Sequence, residues 1–330
     1  MLEILDEIPE GLFDHGPTEL HKILKGPTLI HLKGEKEDPL FVSTLLHGNE
    51  TSGYFALQKF FQKYDQKNLP RSLTILLGNI PAATKGLRKL EFQEDFNRIW
   101  AGGKSEAEQM ASSIIKEMKK RKVFAAIDIH NNTGKNPFYG CVNRLLPEFV
   151  TLGSLFSKTL VYFIEPHEAL SMAFSKFCPS TTIECGKPGE GVTEVCNFIE
   201  EVYLLDEIPR KRAHELDMQI YHTLARIMVP VGATVTFDQE DKSKDFCFIK
   251  DFDDLNFEEL APGTLLGHRY SGNYEIMVND ETGVDISDQI ISYEGDKILA
   301  KTTIIPSMFT KDIKVIHQDC LGYLMEKLEL

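Results

Sequence analysis

The sequence predicts an α/β fold with a largely parallel or mixed β-sheet, covered by helices on both faces, and a smaller, mainly β C-terminal domain. Two observations predict it. Over the first two thirds of the chain, short apolar runs alternate with segments of helical periodicity. After about Met228, short β-type runs separated by turn residues replace this alternation. We therefore expect a first domain at residues 1–228 and a second domain at residues 229–330.

Six apolar runs of strand length predict the main sheet. Such runs are typical of strands buried on both faces, as in parallel sheets, where ligands bind beyond the carboxyl ends of the strands. The predicted strands are Thr28–Leu32, Leu40–Leu46, Leu73–Leu77, Val123–Ile129, Leu160–Ile164 and Thr181–Glu184.

Four segments have helical periodicity, and four later runs predict the strands of the C-terminal domain. In the second helix, Ser105 and Glu108 have the spacing of a capping box. The fourth segment is expected to be one long helix interrupted near Pro209. The predicted helices are Gly53–Tyr64, Ser105–Lys120, Pro147–Thr159 and Gly191–Met228, and the later strands are Ala233–Phe237, Phe246–Ile249, Tyr274–Val278 and Ile298–Thr303.

Composition and charge exclude several classes of protein. The formal net charge of -14 argues against a general nucleic-acid or membrane-surface binder, which needs a positive field. No apolar run approaches the roughly 20 residues that cross a bilayer, and the acidic N-terminus does not resemble a signal peptide, so we expect a cytoplasmic protein. The six cysteines form no CxxC pair, which favours reduced structural thiols. A homo-oligomer remains an open alternative.

Two strand ends carry residues typical of a metal site. The apolar run Leu40–Leu46 leads into His47-Gly48-Asn49-Glu50, where Gly48 permits a tight turn. The run Val123–Ile129 ends at His130. Two histidines and a glutamate are a ligand set for one catalytic zinc ion per chain with an open fourth position, although cobalt or manganese also suits these ligands. Asp128 lies two residues before His130 and could orient its imidazole.

Five motifs in order resemble the succinylglutamate desuccinylase and aspartoacylase family, relatives of the zinc carboxypeptidases. They are HGNE, GNIPAATKGLR (Gly78–Arg88), DFNRIW (Asp95–Trp100), DIHNNTG (Asp128–Gly134) and IECG (Ile183–Gly186). The resemblance implies a carboxypeptidase-like α/β/α sandwich as the catalytic domain, with an appended β domain. It also implies a zinc-dependent amidohydrolase that cleaves the amide bond of an N-acyl amino acid or similar small carboxylate.

The same resemblance implies a role for each matching residue. His47, Glu50 and His130 resemble the zinc ligands, and Arg88 the arginine that helps to polarise the scissile carbonyl. Asn97 and Arg98 resemble the pair that binds the substrate carboxylate. Glu184 resembles the general base that acts on the zinc-bound water. The segment SYEGDKILAKTT (Ser292–Thr303) resembles the family segment that carries a substrate-contacting tyrosine, and Tyr293 is the candidate for it.

One segment departs from the family pattern. Aspartoacylases carry a tyrosine and an arginine upstream of the catalytic glutamate, which read the aspartate side chain. Residues Pro166–Pro179 of this chain contain neither, which argues against acetylaspartate as the substrate. Lys176 is the only basic side chain besides His167 that could act there as a point charge.

Two further functions stay open at the level of the sequence. One is a carboxypeptidase-like metallopeptidase on short peptides, which an open groove would favour. The other is a binding or scaffold protein that kept the fold and lost the chemistry. The presence of His47, Glu50, His130 and Glu184 together argues against the second alternative.

Overall fold

The computed structural model describes residues 2–239 and 241–329, which form two compact units. The first unit comprises residues 2–131 and 138–220, and the second comprises residues 132–137 and 221–329. Residues 221–228, which the sequence analysis assigned to the first domain, therefore lie in the second unit.

The first unit contains eight strands and six α-helices among its described residues. Short 3₁₀ helices at Leu12–Asp14, Pro17–Lys22 and Ala213–Glu215 complete it. The elements are β1 (Glu3–Leu5), β2 (Thr28–Leu32), β3 (Gly34–Thr44), α1 (Ser52–Phe61), β4 (Leu69–Leu77), α2 (Ile80–Thr84), α3 (Glu106–Lys120), β5 (Ala125–His130), β6 (Tyr139–Val142), α4 (Pro147–Ser154), β7 (Thr159–Tyr162), α5 (Leu170–Phe174), β8 (Ser180–Glu184) and α6 (Val192–Leu204).

The eight strands form one mixed sheet in the order β1-β2-β4-β3-β5-β8-β6-β7. Strands β4, β3, β5 and β8 run parallel, whereas β2 pairs antiparallel with β4 and β6 pairs antiparallel with β8. The carboxyl ends of the four parallel strands therefore meet at one edge. This mixed sheet agrees with the fold that the sequence predicts.

Helices pack on both faces of this sheet, as alternation along β3 illustrates. Leu40 and Val42 belong to the core on the face of α1 and α6, whereas Phe41 belongs to the core on the face of α3 and α5. On the first face, Phe60 stacks edge-on against Tyr203. Burial of both faces explains why this part of β3 is continuously apolar rather than alternating.

The second unit is mainly β, as predicted. A 3₁₀ helix at Phe252–Leu255 and two short α-helices accompany nine strands among the described residues. They are β9 (Gln219–Met228, whose first two residues belong to the first unit), β10 (Val235–Thr236), β11 (Phe246–Phe248), β12 (Leu265–Arg269), β13 (Met277–Asp280), α7 (Ser287–Ile290), β14 (Ile291–Glu294), β15 (Lys297–Ala300), β16 (Ile305–Ser307), α8 (Ile313–Gln318) and β17 (Gly322–Leu328).

The strands of the second unit form two groups. One is a five-stranded sheet in the order β10-β11-β12-β15-β14, and the other has the order β9-β17-β16, with β13 pairing antiparallel to β9. Aromatic residues fill the core between them, and the rings of Phe252 and Phe309 stack with centroids 4.3 Å apart.

The prediction of one long helix over Gly191–Met228 is wrong. The helix α6 ends at Leu204, Leu205 is extended, and residues 219–228 form strand β9. Pro209 lacks the amide hydrogen that a continuing helix needs. Residues 220–223 are Ile, Tyr, His and Thr, three of which favour a strand. A short apolar run fits either period, and pairing with β13 stabilises the strand.

Two further predictions about helices can be compared with the structure. The helix predicted at Pro147–Thr159 ends at Ser154, because Thr159 already begins β7. The capping box of α3 is confirmed: the Ser105 hydroxyl accepts from the Glu108 amide at 3.1 Å, and the Glu108 carboxylate accepts from the Ser105 amide at 2.9 Å.

Among the described residues, none of the helices has the length and apolarity to span a bilayer.

Candidate metal centre

The parallel strands bring the predicted metal ligands and the predicted base to one edge of the sheet. His47 follows the end of β3 by three residues, His130 ends β5, and Glu184 ends β8. His130 and Glu184 are direct register partners across β5 and β8. Neighbouring residues of a parallel pair project to the same face, so both side chains are directed to the same side of the sheet.

A tight turn after β3 carries His47 and Glu50. The Glu50 amide donates to the His47 carbonyl at 3.1 Å, and the Gly48 amide donates to the Arg88 carbonyl at 3.1 Å. A Cβ atom on Gly48 would lie 2.1 Å from the amide nitrogen of Ala83, so only glycine permits this close approach to α2.

The three predicted metal ligands converge. The Nδ1 atom of His47 lies 2.8 Å from Oε1 of Glu50, and the Nδ1 atom of His130 lies 2.7 Å from Oε2 of the same carboxylate. The ligand atoms of the three residues all lie within 4.8 Å of one another. The two imidazole centroids are 5.0 Å apart, and all three residues are buried.

The outer nitrogen of each imidazole contacts a second carboxylate. Asp128 Oδ2 lies 2.9 Å from His130 Nε2, as the spacing of these two residues predicts. Asp95 Oδ1 lies 3.0 Å from His47 Nε2, a contact that the sequence analysis missed. Such carboxylates orient a ligand imidazole and select the tautomer that leaves the inner nitrogen free for a metal.

This donor set fits a catalytic zinc site. Two imidazole nitrogens and one carboxylate form a three-residue set that leaves a fourth position for a further ligand. The nitrogens that face Glu50 are the Nδ1 atoms, while both Nε2 atoms contact carboxylates that can accept their protons. His47, Glu50 and His130 are therefore the residues that would hold the metal.

The charges of this cluster shift its pKa values strongly. Burial and Arg88 oppose protonation of His47, but Glu50 and Asp95 outweigh them and raise its pKa. Burial likewise opposes protonation of His130, yet Asp128 and Glu50 raise its pKa well above the usual range. For Glu50, burial favours the neutral form, but His47 and His130 lower its pKa. These shifts favour protonated imidazoles beside an ionised Glu50 carboxylate.

Glu184 differs electrostatically from the other carboxylates of the site. Burial raises its pKa to about 7, although the charge of His130 opposes the shift. Its Oε2 atom is buried and has no hydrogen-bond partner among the described residues. A buried carboxylate with a pKa near neutrality can exchange a proton at working pH, as a general base must.

Arg88 lies against two of the carboxylates. Its Nη2 atom donates to Asp95 Oδ2 at 3.2 Å, and its Nη1 atom lies 3.5 Å from Glu50 Oε1. The guanidinium is 14% exposed, so solvent screens it only weakly. Its position beside the ligand carboxylate is compatible with the role that the family resemblance implies.

Asn97 and Arg98 follow Asp95 in the same turn. The Oδ1 atom of Asn97 accepts from the Leu170 amide at 3.0 Å, which orients its Nδ2 donor to a point 3.4 Å from His130 Nε2. Arg98 donates to the Asn97 carbonyl at 3.0 Å. The structure thus brings Asn97 next to the ligand histidine, and Arg98 adjoins it along the chain.

Asn131 is a second residue that the sequence analysis missed. Its amide donates to Glu50 Oε2 at 3.1 Å, and its Oδ1 atom accepts from the Ser52 amide at 3.1 Å. Its Nδ2 group donates to the Gly186 carbonyl at 3.0 Å, in the turn after Glu184. The DIHNN motif contains this residue, and only the tertiary contacts distinguish its role from that of a turn residue.

Tyr293, the predicted substrate-contacting tyrosine, lies on β14 in the second unit. Its hydroxyl accepts from the Ile276 amide at 2.9 Å, and the Arg269 guanidinium lies 4.0 Å from its ring centroid. These contacts describe its packing within that unit, and its role at the substrate stays a prediction. Lys176 is exposed and lies just after α5.

Comparisons with known proteins give a family match for part of the chain. Residues 38–148 match the sequence model described as the succinylglutamate desuccinylase/aspartoacylase catalytic domain. The match includes all three metal-ligand candidates together with Arg88, Asn97 and Arg98. This part of the chain therefore resembles the catalytic domain of the succinylglutamate desuccinylase/aspartoacylase family. Glu184 and Tyr293 lie outside the matched residues, and a search of curated proteins gives no match.

Solved structures of this family share the fold. A succinylglutamate desuccinylase/aspartoacylase from Rhodobacter sphaeroides is 14% identical with a TM-score of 0.61, covering 90% of this chain and 88% of its own. A succinylglutamate desuccinylase from Vibrio parahaemolyticus is 14% identical with a TM-score of 0.55, covering 89% and 83%. Murine aminoacylase 3 is 17% identical with a TM-score of 0.52, covering 89% and 96%.

Proposed function

We propose that this chain is a zinc-dependent hydrolase that cleaves the amide bond of an N-acyl amino acid or a similar small carboxylate. The observation that carries the proposal is the convergence of the His47, Glu50 and His130 donor atoms within 4.8 Å, beside the buried carboxylate of Glu184. The match of residues 38–148 to a catalytic domain of succinylglutamate desuccinylases and aspartoacylases supports the general class of reaction. When bound, zinc supplies Lewis-acid chemistry, which makes water a better nucleophile and polarises a carbonyl.

Glu184 is the residue that moves protons in this proposal. It accepts a proton from the attacking water at its unpaired Oε2 atom and then donates it to the nitrogen of the leaving amine. Its environment supports both steps, because a pKa near 7 makes the carboxylate a usable base and the carboxyl a usable acid. Asn131 holds the turn that follows Glu184 and thereby fixes its position.

Arg88 contributes positive charge where the carbonyl oxygen becomes negative. A fixed guanidinium in a poorly solvated site stabilises that charge without reorganisation, and loss of such a donor typically costs about 10²–10³ in rate. The ion pair with Asp95 keeps the guanidinium in place between reactions.

Asn97 and Arg98 would bind the carboxylate of the substrate. Arginine can form two parallel hydrogen bonds to a carboxylate, and the amide of Asn97 adds a neutral donor. The bond from Leu170 to the Asn97 oxygen supports this role, because it leaves the NH₂ group as the available part of the side chain.

Metal analysis separates the proposed enzyme from a scaffold protein. Protein purified without chelator is expected to contain about one zinc ion per chain, as a three-residue site predicts. A His130→Ala variant should lose most of it. Less than about 0.1 zinc per chain in the wild-type protein, with no uptake on zinc addition, would contradict the proposal.

A substrate screen then tests the reaction itself. Zinc-loaded protein is incubated with N-acetyl, N-succinyl and N-formyl amino acids, and with short unmodified peptides, and free amine is measured. Release from N-acyl amino acids that is absent in Glu184→Gln supports the proposal. Release of free amine from the peptides but not from the N-acyl amino acids would instead identify the protein as a metallopeptidase.

A further inference from the structure

A loop between α2 and Asp95 connects two charged groups of the site. Arg88 lies near its start and Asp95 at its end, and the tip between them is solvated, with Phe92 94% exposed. An exposed loop of this kind does not by itself hold a guanidinium in one place, because each free residue gains conformational entropy. The Gly48 amide holds the Arg88 carbonyl at 3.1 Å, and the rest of the loop needs contacts of its own to stay ordered.

The side chain of Gln93 closes this loop. Its Nε2 group donates to Asn79 Oδ1 at 2.9 Å, and its Oε1 atom accepts from Asn79 Nδ2 at 2.9 Å. The same Oε1 atom also accepts from the Leu90 amide at 3.0 Å. The carbonyl of Gln93 accepts from the Lys89 ammonium at 3.0 Å. One side chain thus links the loop to itself and to Asn79.

Asn79 is anchored to the strand that carries the first metal ligand. It is fully buried, and its amide donates to the Leu45 carbonyl at 2.6 Å, two residues before His47. Leu45 has a φ of 58°, a conformation that L-residues adopt rarely and that needs support from its surroundings. The Asn79 side chain also caps α2, because its Oδ1 atom accepts from the Ala82 amide at 3.2 Å.

We propose that the amide pair of Asn79 and Gln93 positions Arg88 for the reaction, with Gln93 as the positioning residue of the loop. This inference rests on the proposed function, in which Arg88 stabilises the developing negative charge. Two of the contacts of Arg88 reach Glu50 at 3.5 Å and Asp95 at 3.2 Å. Their geometry depends on where the backbone of the loop lies, to which the amide pair contributes together with the bond from the Gly48 amide to the Arg88 carbonyl.

The first test compares two Gln93 variants with a control on the same loop. Gln93→Ala removes all three side-chain bonds, and Gln93→Glu places a carboxylate oxygen against Asn79 Oδ1. Both should lower kcat by about 10–100-fold, the cost of displacing a catalytic group by about 1 Å. KM should change less than about twofold, since Arg88 acts mainly in the transition state. Glu91→Ala, at the exposed tip, should behave as wild type.

A double-mutant cycle with Arg88→Ala separates positioning from general structural support. If Gln93 acts through Arg88, Gln93→Ala should reduce kcat by less than about twofold in the Arg88→Ala background. Equal fold-losses in both backgrounds would overturn the proposal, as would a Gln93→Ala variant with kcat within about twofold of wild type. The kcat values are calculated per zinc-loaded molecule, so that a lower fraction of folded protein does not lower the kcat of a variant.

Hydrogen exchange tests the positioning without any substrate. Residues 87–90 should exchange faster in Gln93→Ala than in wild type, and Glu91→Ala should leave them unchanged. Unchanged exchange in Gln93→Ala refutes the inference whatever the protein catalyses. Conversely, a wild-type protein that releases no amine defeats the proposed function, while the exchange result still decides whether Gln93 holds the loop.

Discussion

Substitution of Asp95 by asparagine should weaken zinc binding without displacing any ligand. Asp95 lies 3.0 Å from the outer nitrogen of His47 and also accepts from the Asn97 amide at 2.7 Å. An asparagine in this place keeps an oxygen that accepts from the imidazole but removes the negative charge. The variant therefore isolates the contribution of charge to the orientation and basicity of His47.

The magnitude follows from the type of bond that is changed. A hydrogen bond to a charged group contributes about 1.5–3 kcal/mol and a neutral one about 1 kcal/mol, so the loss is about 0.5–2 kcal/mol. This corresponds to a zinc affinity lower by about 2–30-fold. Removal of carboxylates behind ligand histidines typically costs about 10–100-fold, which overlaps the upper part of this range.

The loss should also depend on pH. In the metal-free protein, Asp95 is one of the two carboxylates that raise the pKa of His47, so protons compete with zinc more strongly in the wild type than in the variant. As the pH falls, wild-type affinity should therefore decrease more steeply, and the difference between the two proteins should shrink. Competition with a chelating dye at two pH values measures both affinities.

The control removes the same charge one residue away. Glu94 is exposed and binds the Ser105 hydroxyl at 2.9 Å, and Glu94→Gln should leave zinc affinity unchanged. If Asp95→Asn binds zinc within about twofold of wild type at high pH, or if Glu94→Gln loses as much, the account of His47 given above is wrong.

Three other predictions concern Glu184 and the ligand histidines. Glu184→Gln should keep its zinc and lose about 10²–10⁴ in kcat; amine release above a tenth of the wild-type rate would exclude Glu184 as the base. Burial raises the pKa of Glu184 from 4.5 to about 7. The contribution of its neutral carboxyl to the stability of the folded protein is therefore fully present below pH 4.5 and is lost as the pH rises through about 7. At pH 8, metal-free Glu184→Gln should therefore have a higher free energy of unfolding than wild type, by up to about 3 kcal/mol, and a higher urea midpoint. At pH 4 the two proteins should have the same midpoint. Equal midpoints at both pH values would contradict this prediction. Since the pKa values of His47 and His130 are raised, zinc binding at pH 7 should release on the order of one or two protons. If the calorimetric heat of zinc binding does not vary with the ionisation enthalpy of the buffer, no protons are released and this prediction is wrong.

The local sequence pattern was sufficient to predict many of the strands and helices of the first unit. The residues of β2 and β5 are mostly apolar and are buried throughout because both faces of their sheet are covered, and the predicted capping box forms at Ser105. Pattern was insufficient between Leu205 and Met228, where a short apolar run fits both a helix and a strand. There, pairing with β13 and β17 supports the strand, and no local signal contains those partners.

The sequence by itself determined which side chains could bind a metal, because imidazole and carboxylate chemistry is carried by residue type and strand ends are recognisable in the order of residues. Only the tertiary structure decided how they are combined. It placed His130 beside Glu184, turned both Nδ1 atoms toward Glu50, and brought Asp95 behind His47 and Gln93 against Asn79. Apart from the contact between His47 and Glu50, which are three residues apart, these contacts join residues 14–80 positions apart, and folding creates them by bringing the ends of parallel strands to one edge.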